Sequence, residues 1–146
     1  MKDEMTLYLA GPMTGQSYFN VHSFSNWAAA LRYHGFDVIN PIEHGPADVQ
    51  WASYLTPSGD VNELPDSYEP EDTALRNVQF VARADGVAVM PDWQQSVGTR
   101  HEVETAHRFG LPVAPVQLWL AATGYEAMMA LSFPTPDGFL LEDVIA

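Results

Sequence analysis

Short apolar runs alternate along the chain with longer stretches in which apolar residues recur every three or four positions. MTLYLA (residues 5–10) is the first run; it ends in the turn GPMTG and predicts a buried strand. From Ser23 the spacing changes. Phe24, Trp27, Ala28 and Leu31 stand at i, i+3, i+4 and i+7, the stripe of an amphipathic helix, and Gly35 supplies its stop. FDVINP (36–41) predicts a second strand ended by Pro41, DGVAVM (85–90) a third and LPVAPV (111–116) a fourth. Helices are expected over 72–83 and after Gly98, and beyond residue 117 a helix over 125–131 and a short strand over 139–141. Strands alternating with helices imply an α/β fold. The expectation is one domain over 1–146, a Rossmann- or flavodoxin-like three-layer sandwich with a mostly parallel sheet of four to five strands, and 117–146 as a C-terminal extension.

Residues 45–72 break the pattern. They hold seven acids, no Lys or Arg, and Gly45, Pro46, Pro57, Gly59, Pro65 and Pro70. An acidic inserted surface loop over 45–71 is expected, with one turn of helix near 51–55. A loop of that length is a lid, a binding segment or an oligomer contact, or else simply mobile.

The whole chain has 146 residues, 47% of them hydrophobic, enough for one core without disulfides or metals. The absence of cysteine excludes a disulfide framework, a thiolate zinc site and a cysteine nucleophile. A formal charge of -13, from 19 acids and 6 bases, opposes binding to nucleic-acid polymers and anionic membranes. A small phosphorylated ligand remains open, because backbone N–H groups at a helix start hold phosphate without net positive charge. The N-terminus, MKDEMTLYLAG, is too short and acidic for a signal peptide, and no apolar run approaches 18 residues. A cytoplasmic protein is expected.

In a parallel α/β sheet, ligands bind at the carboxyl ends of the strands. Three loops should meet there: GPMTG (11–15), NPIEH (40–44) and PDWQQSVGT (91–99). They supply Gly11, Pro12, Met13, Thr14, Gly15, Asn40, Asp92, Trp93, Ser96, Gly98 and Thr99 as candidate substrate-binding residues. Trp93, like Trp51, reads either as a platform for a nucleobase or as a packing anchor. Glu102 also has two readings. Thr99-Arg100-His101-Glu102 fits a capping box with Thr99 as N-cap and Glu102 folded back onto it. Alternatively, a carboxylate in the first helical turn stays ionised and faces the crevice, where it can attack an anomeric carbon. The histidines of HEVETAH do not suit a metal, since His101 and His107 are six apart rather than four. No metal and no cofactor are expected.

Taken together, YLAGPMTG (8–15), INPIE (39–43) and ADGVAVMPDWQQSVGTRHEVETAHRFGLPV (84–113) resemble the nucleoside 2-deoxyribosyltransferase superfamily. The likeness is nearest to its small phage and bacterial members and to the 2′-deoxynucleoside 5′-monophosphate N-glycosidases. It implies that Glu102 is the nucleophile in the pattern S-x-G-x-x-x-E and that Ser96 and Gly98 hold a 5′-phosphate. Tyr8 falls on a tyrosine near the sugar and the catalytic carboxylate, and Gly11 to Gly15 on the loop around sugar and phosphate. That loop often carries an arginine in the hydrolases, where this chain has Thr14. The family usually also has an aspartate, serving as acid/base or orienting the sugar, eight residues before the aspartate matched by Asp85; here that position is Asn77. An amide hydrogen-bonds a sugar hydroxyl but exchanges no proton. Either Asp72 or another acid of 60–72 substitutes, or proton delivery is weaker, the substrate differs, or catalysis is lost.

The expected activity is hydrolysis of the N-glycosidic bond of a (deoxy)nucleoside 5′-monophosphate through a glycosyl-glutamate intermediate. The alternatives are a base-exchanging transferase and a nucleotide-binding module without chemistry. The resemblance further implies a homodimer or higher homo-oligomer, for which VQLWLAATGYEAMMALSF (116–133) is a candidate interface, unless it simply covers the sheet.

Overall fold

The computed structural model describes residues 5–121. In chain order they form β1 (Thr6–Ala10), α1 (Val21–Tyr33), β2 (Asp37–Ile39), α2 (Ala47–Ser53), α3 (Pro70–Arg83), β3 (Gly86–Val89), α4 (Val97–Arg108), β4 (Val113–Pro115) and α5 (Val116–Ala121). The strands make one four-stranded, all-parallel sheet in the order β2-β1-β3-β4, a Rossmann-like α/β arrangement in which the order reverses between β1 and β3. Tyr8, at the middle of β1, stands in register with Ile39 on one side and Val87 on the other.

Every residue of β1 is buried, as expected of a parallel strand covered on both faces. The alternation of the strand divides its side chains between two layers. Leu7 and Leu9 pack with Phe24 and Leu31 of α1 and Trp119 of α5. Tyr8 and Ala10 pack with Phe80 and Val81 of α3 and Val103 and Ala106 of α4. Pro115, which cannot donate to a ladder, lies in β4 at the sheet edge. Asp85, just ahead of β3, accepts the Thr6 N–H at 2.8 Å and ties the starts of β1 and β3 together.

Helix α1 starts two residues ahead of Ser23, and α3 two ahead of Asp72. The larger difference is in 45–71. This segment holds α2 and a tight turn at Val61–Glu63, so it is a folded part of the domain rather than a bare loop. Within 116–133, the described part, α5, covers the sheet. Trp119 is fully buried, and its Nε1–H donates to the carbonyls of Val87 and Ala114 at 3.0 and 3.1 Å. The helix expected over 125–131 and the strand over 139–141 lie outside the described residues. No helix among the described residues is long and apolar enough to cross a membrane.

Candidate active site

Where the sheet order reverses, the loops after β1 and β3 diverge and leave a cavity of about 580 Å³. That is the size of a small-molecule site. Gly11, Pro12, Met13 and Thr14 line it from the first loop, Ser96, Gly98 and Thr99 from the second, Asn77 from α3 and Glu102 from α4.

Glu102 is 9% exposed. The Tyr8 hydroxyl, itself wholly buried, donates to its Oε2 at 3.1 Å. Burial pushes the Glu102 carboxyl from 4.5 up to about 7, against the opposing hydrogen bonds from Tyr8 and Asn77. Burial, followed by the neighbouring Glu102 charge, raises the Tyr8 hydroxyl well above its usual value, so it stays a donor. The expectation of a fully ionised carboxylate is therefore corrected. Glu102 sits in the second turn of α4, past the reach of the helix end, and desolvation dominates. A carboxyl poised near neutrality can be a nucleophile when ionised and a proton donor when not.

The capping box is corrected as well. Ser96, not Thr99, is the N-cap of α4; its Oγ accepts the Thr99 N–H at 3.2 Å. Glu102 lies six residues beyond this cap and bonds to Tyr8, not to the Thr99 backbone. The register shift follows from Ser96 having the extended backbone that a cap needs, with φ -100° and ψ 119°. Gly98 then falls inside the first turn, where a Cβ would meet nothing nearer than Ser96 Oγ at 3.9 Å. The first turn thus presents bare backbone to the cavity, a suitable surface for an anion.

The insertion closes the cavity. Val49, Gln50 and Ser53 of α2, with Val61, Leu64 and Tyr68, line the wall. Of the readings open for 45–71, the wall of a binding site fits best. The insertion is anchored to the loop after β1: the Gly15 N–H donates to the Gly59 carbonyl at 2.8 Å and the Tyr18 N–H to that of Pro57 at 3.3 Å. At this anchor, Tyr18, Phe19 and Asn20 all take left-handed backbone, with φ of 50°, 53° and 62°. Such a run costs roughly 1–2 kcal/mol per residue. It is offset by burial of the Phe19 ring and by a bond from Asn20 Nδ2 to the Pro12 carbonyl at 3.0 Å. Gly59 has φ 66°, and a Cβ there would lie 2.0 Å from the Gln16 carbonyl oxygen. Gly59→Ala is expected to lower stability by roughly 1–3 kcal/mol through loss of this anchor. Urea unfolding measures it, and an unchanged midpoint would show that the anchor contributes nothing.

Five of the sequence candidates do not line the cavity. Tyr8 lies behind Glu102 and positions it. Gly15 serves the anchor. Asn40 is fully buried, and its Oδ1 accepts the Ile42 N–H at 3.3 Å, capping a turn rather than facing a ligand. Asp92 is exposed, with φ 64°, and Trp93 packs against the apolar layer beneath α3 and α4. Trp93 is thus a packing anchor, and Trp51 is 70% exposed and also off the cavity. Reasoning from the sequence missed the insertion's wall residues, His44, His101 and Arg76. Arg76 had a signal in its position directly before Asn77; the wall residues had none, because only tertiary folding brings 45–71 back across the strand ends. Among the described residues, no group of three His, Asp or Glu side chains is placed to hold a metal ion.

Compared with known proteins, residues 5–115 match the model of a family described as "Domain of unknown function (DUF4406)". No curated protein and no solved structure matches the chain.

Proposed function

Because the chain belongs to the DUF4406 family, whose description assigns no activity, we propose a function from the chemistry of the cavity itself: hydrolysis of the N-glycosidic bond of a (deoxy)nucleoside 5′-monophosphate. The observation that carries this reading is Glu102. It is a buried carboxyl with a pKa of about 7, hydrogen-bonded to Tyr8, in the same cavity as the open first turn of α4. The likeness of segments 8–15, 39–43 and 84–113 to the nucleoside 2-deoxyribosyltransferase superfamily supports it.

In this reading the phosphate rests on the first turn of α4, and one carboxylate oxygen of Glu102 attacks C1′. The C1′–N bond breaks with its electron pair going to the base, and a glycosyl ester forms on Glu102. Water then displaces the sugar, regenerating the carboxylate; one water proton ends on the base and the hydroxide on C1′. Tyr8 holds the unreacting oxygen and fixes the rotamer. The reaction needs no metal. Incubating the protein with each common deoxynucleoside monophosphate and its nucleoside, and separating the products chromatographically, should show free base from a monophosphate. Base appearing only as exchange onto a second added base would mark a transferase. Release from none of them would remove the enzymatic reading.

Asn77 favours a second reading, a nucleotide-binding module without turnover. It stands beside Glu102 but transfers no proton, and its buried Oδ1 has no hydrogen-bond partner among the described residues. Tight nucleotide binding without base release, unchanged in Asn77→Asp, would identify that case.

A further inference from the structure

The chain has 19 acids, yet Glu102 is the one carboxyl among the described residues that line the cavity. It shares that surface with Arg76, His44 and His101. Among the described residues of this strongly acidic protein, the recess is thus nearly free of acids, and that favours an anionic occupant.

Arg76 is the unusual member. Arg32 pairs with Glu43, Arg108 with Glu104, Arg100 donates to the Gln94 carbonyl and Arg83 lies over the Phe80 ring. Arg76 alone of the five described arginines has no hydrogen bond, ion pair or ring contact among the described residues, and its Nε is buried without an acceptor. No ion pair joins Arg76 to Glu102 among the described residues, and burial, Tyr8 and Asn77 govern that carboxyl. Its charge is nonetheless close enough to draw the Tyr8 hydroxyl down slightly against the effect of burial. The side chain is also given room deliberately. Gly45 takes a left-handed φ of 94°, and a Cβ there would stand 2.8 Å from Arg76 Nη2. A guanidinium with a buried, unused N–H needs an acceptor, and its planar fork suits a phosphoryl group held by two parallel bonds.

We infer that Arg76 is the phosphate-selecting side chain of this cavity, holding the 5′-phosphate of the ligand together with the N–H groups at the start of α4. The inference rests on the nucleotide reading given above. It assigns to α3 the cationic contact that Thr14 in the loop after β1 cannot make.

The test is calorimetric titration in a Glu102→Gln background, so that turnover does not consume the ligand. The tightest-binding deoxynucleoside monophosphate, its nucleoside and inorganic phosphate are each titrated into proteins with Arg76, Arg76→Gln and Arg76→Lys. Arg76→Gln should weaken the monophosphate and inorganic phosphate by roughly 10- to 100-fold while leaving the nucleoside within about twofold. Arg76→Lys should recover part of the loss, since charge returns without the fork. Equal weakening of nucleotide and nucleoside, accompanied by a lower unfolding temperature, would make Arg76 a structural prop and overturn the inference. So would an unchanged phosphate preference in Arg76→Gln, or no phosphate preference with Arg76 in place. Phosphate selectivity through Arg76 without any base release from the native chain would instead remove the hydrolase reading and leave this inference standing.

Discussion

Replacing Glu102 by Gln should lower base release by about 10³-fold or more while changing nucleotide affinity only a few-fold. The amide keeps the size of the carboxyl and can still accept the Tyr8 hydrogen bond, so the cavity is preserved while the proposed nucleophile is lost. With Glu102 present, kcat/KM should rise with pH and level off above about 7, because the free protein must lose the Glu102 proton before attack. Steady-state assays from pH 5 to 9 measure both effects. If the Gln variant turned over like the native chain, Glu102 would not be the nucleophile and the glycosyl-ester route would fail.

The second large effect is on stability, and its sign follows from the same carboxyl. Below pH 4.5, Glu102 is protonated in both the folded and the unfolded chain and adds no pH dependence. Between 4.5 and about 7 the unfolded chain has lost this proton while the folded chain retains it, so raising the pH destabilises the fold. Above about 7 both forms are ionised and the loss is complete. The gap corresponds to about 3 kcal/mol, a large share of the 5–15 kcal/mol typical of a domain. Glu102→Gln should therefore equal the native protein in stability near pH 4 and exceed it by about that amount at pH 8. Denaturant unfolding of both proteins across this range gives the difference directly. A difference that did not grow with pH would mean the carboxyl is better solvated than the structure implies.

Much of the fold was legible because its period signals are strong. The run TLYLA and the stripe of Phe24, Ala28 and Leu31 are buried in β1 and α1 as the spacing requires. The three-loop convergence was legible too, since a parallel sheet leaves only one end for a ligand. What escaped was decided by atoms far apart in sequence. The sequence pointed to Thr99 as the cap, whereas the local backbone makes Ser96 the cap, and that shift of three residues moved Glu102 from the first helical turn to the second. That shift, with burial beside Tyr8, turns an ionised carboxylate into one poised near neutrality. Proline, glycine and acids in 45–71 signalled irregular chain, but not that Val49, Val61 and Leu64 would face the cavity. Arg76 falls within the helix expected over 72–83, and only its place beside Asn77 marked it. The role inferred for it depends on Gly45, thirty-one residues earlier, leaving space for the guanidinium.

The buried pair Tyr8–Glu102 has a consequence for the history of such chains. It places two polar groups in the layer where β1 meets α4, a position that apolar side chains of similar volume would fill without any desolvation penalty. Selection for a sturdier fold and selection for the proposed reaction would therefore pull the same two positions in opposite directions. A relative carrying Phe and Leu or Met at the positions of Tyr8 and Glu102 would be expected to keep the architecture, to be harder to unfold, and to lack the proposed chemistry.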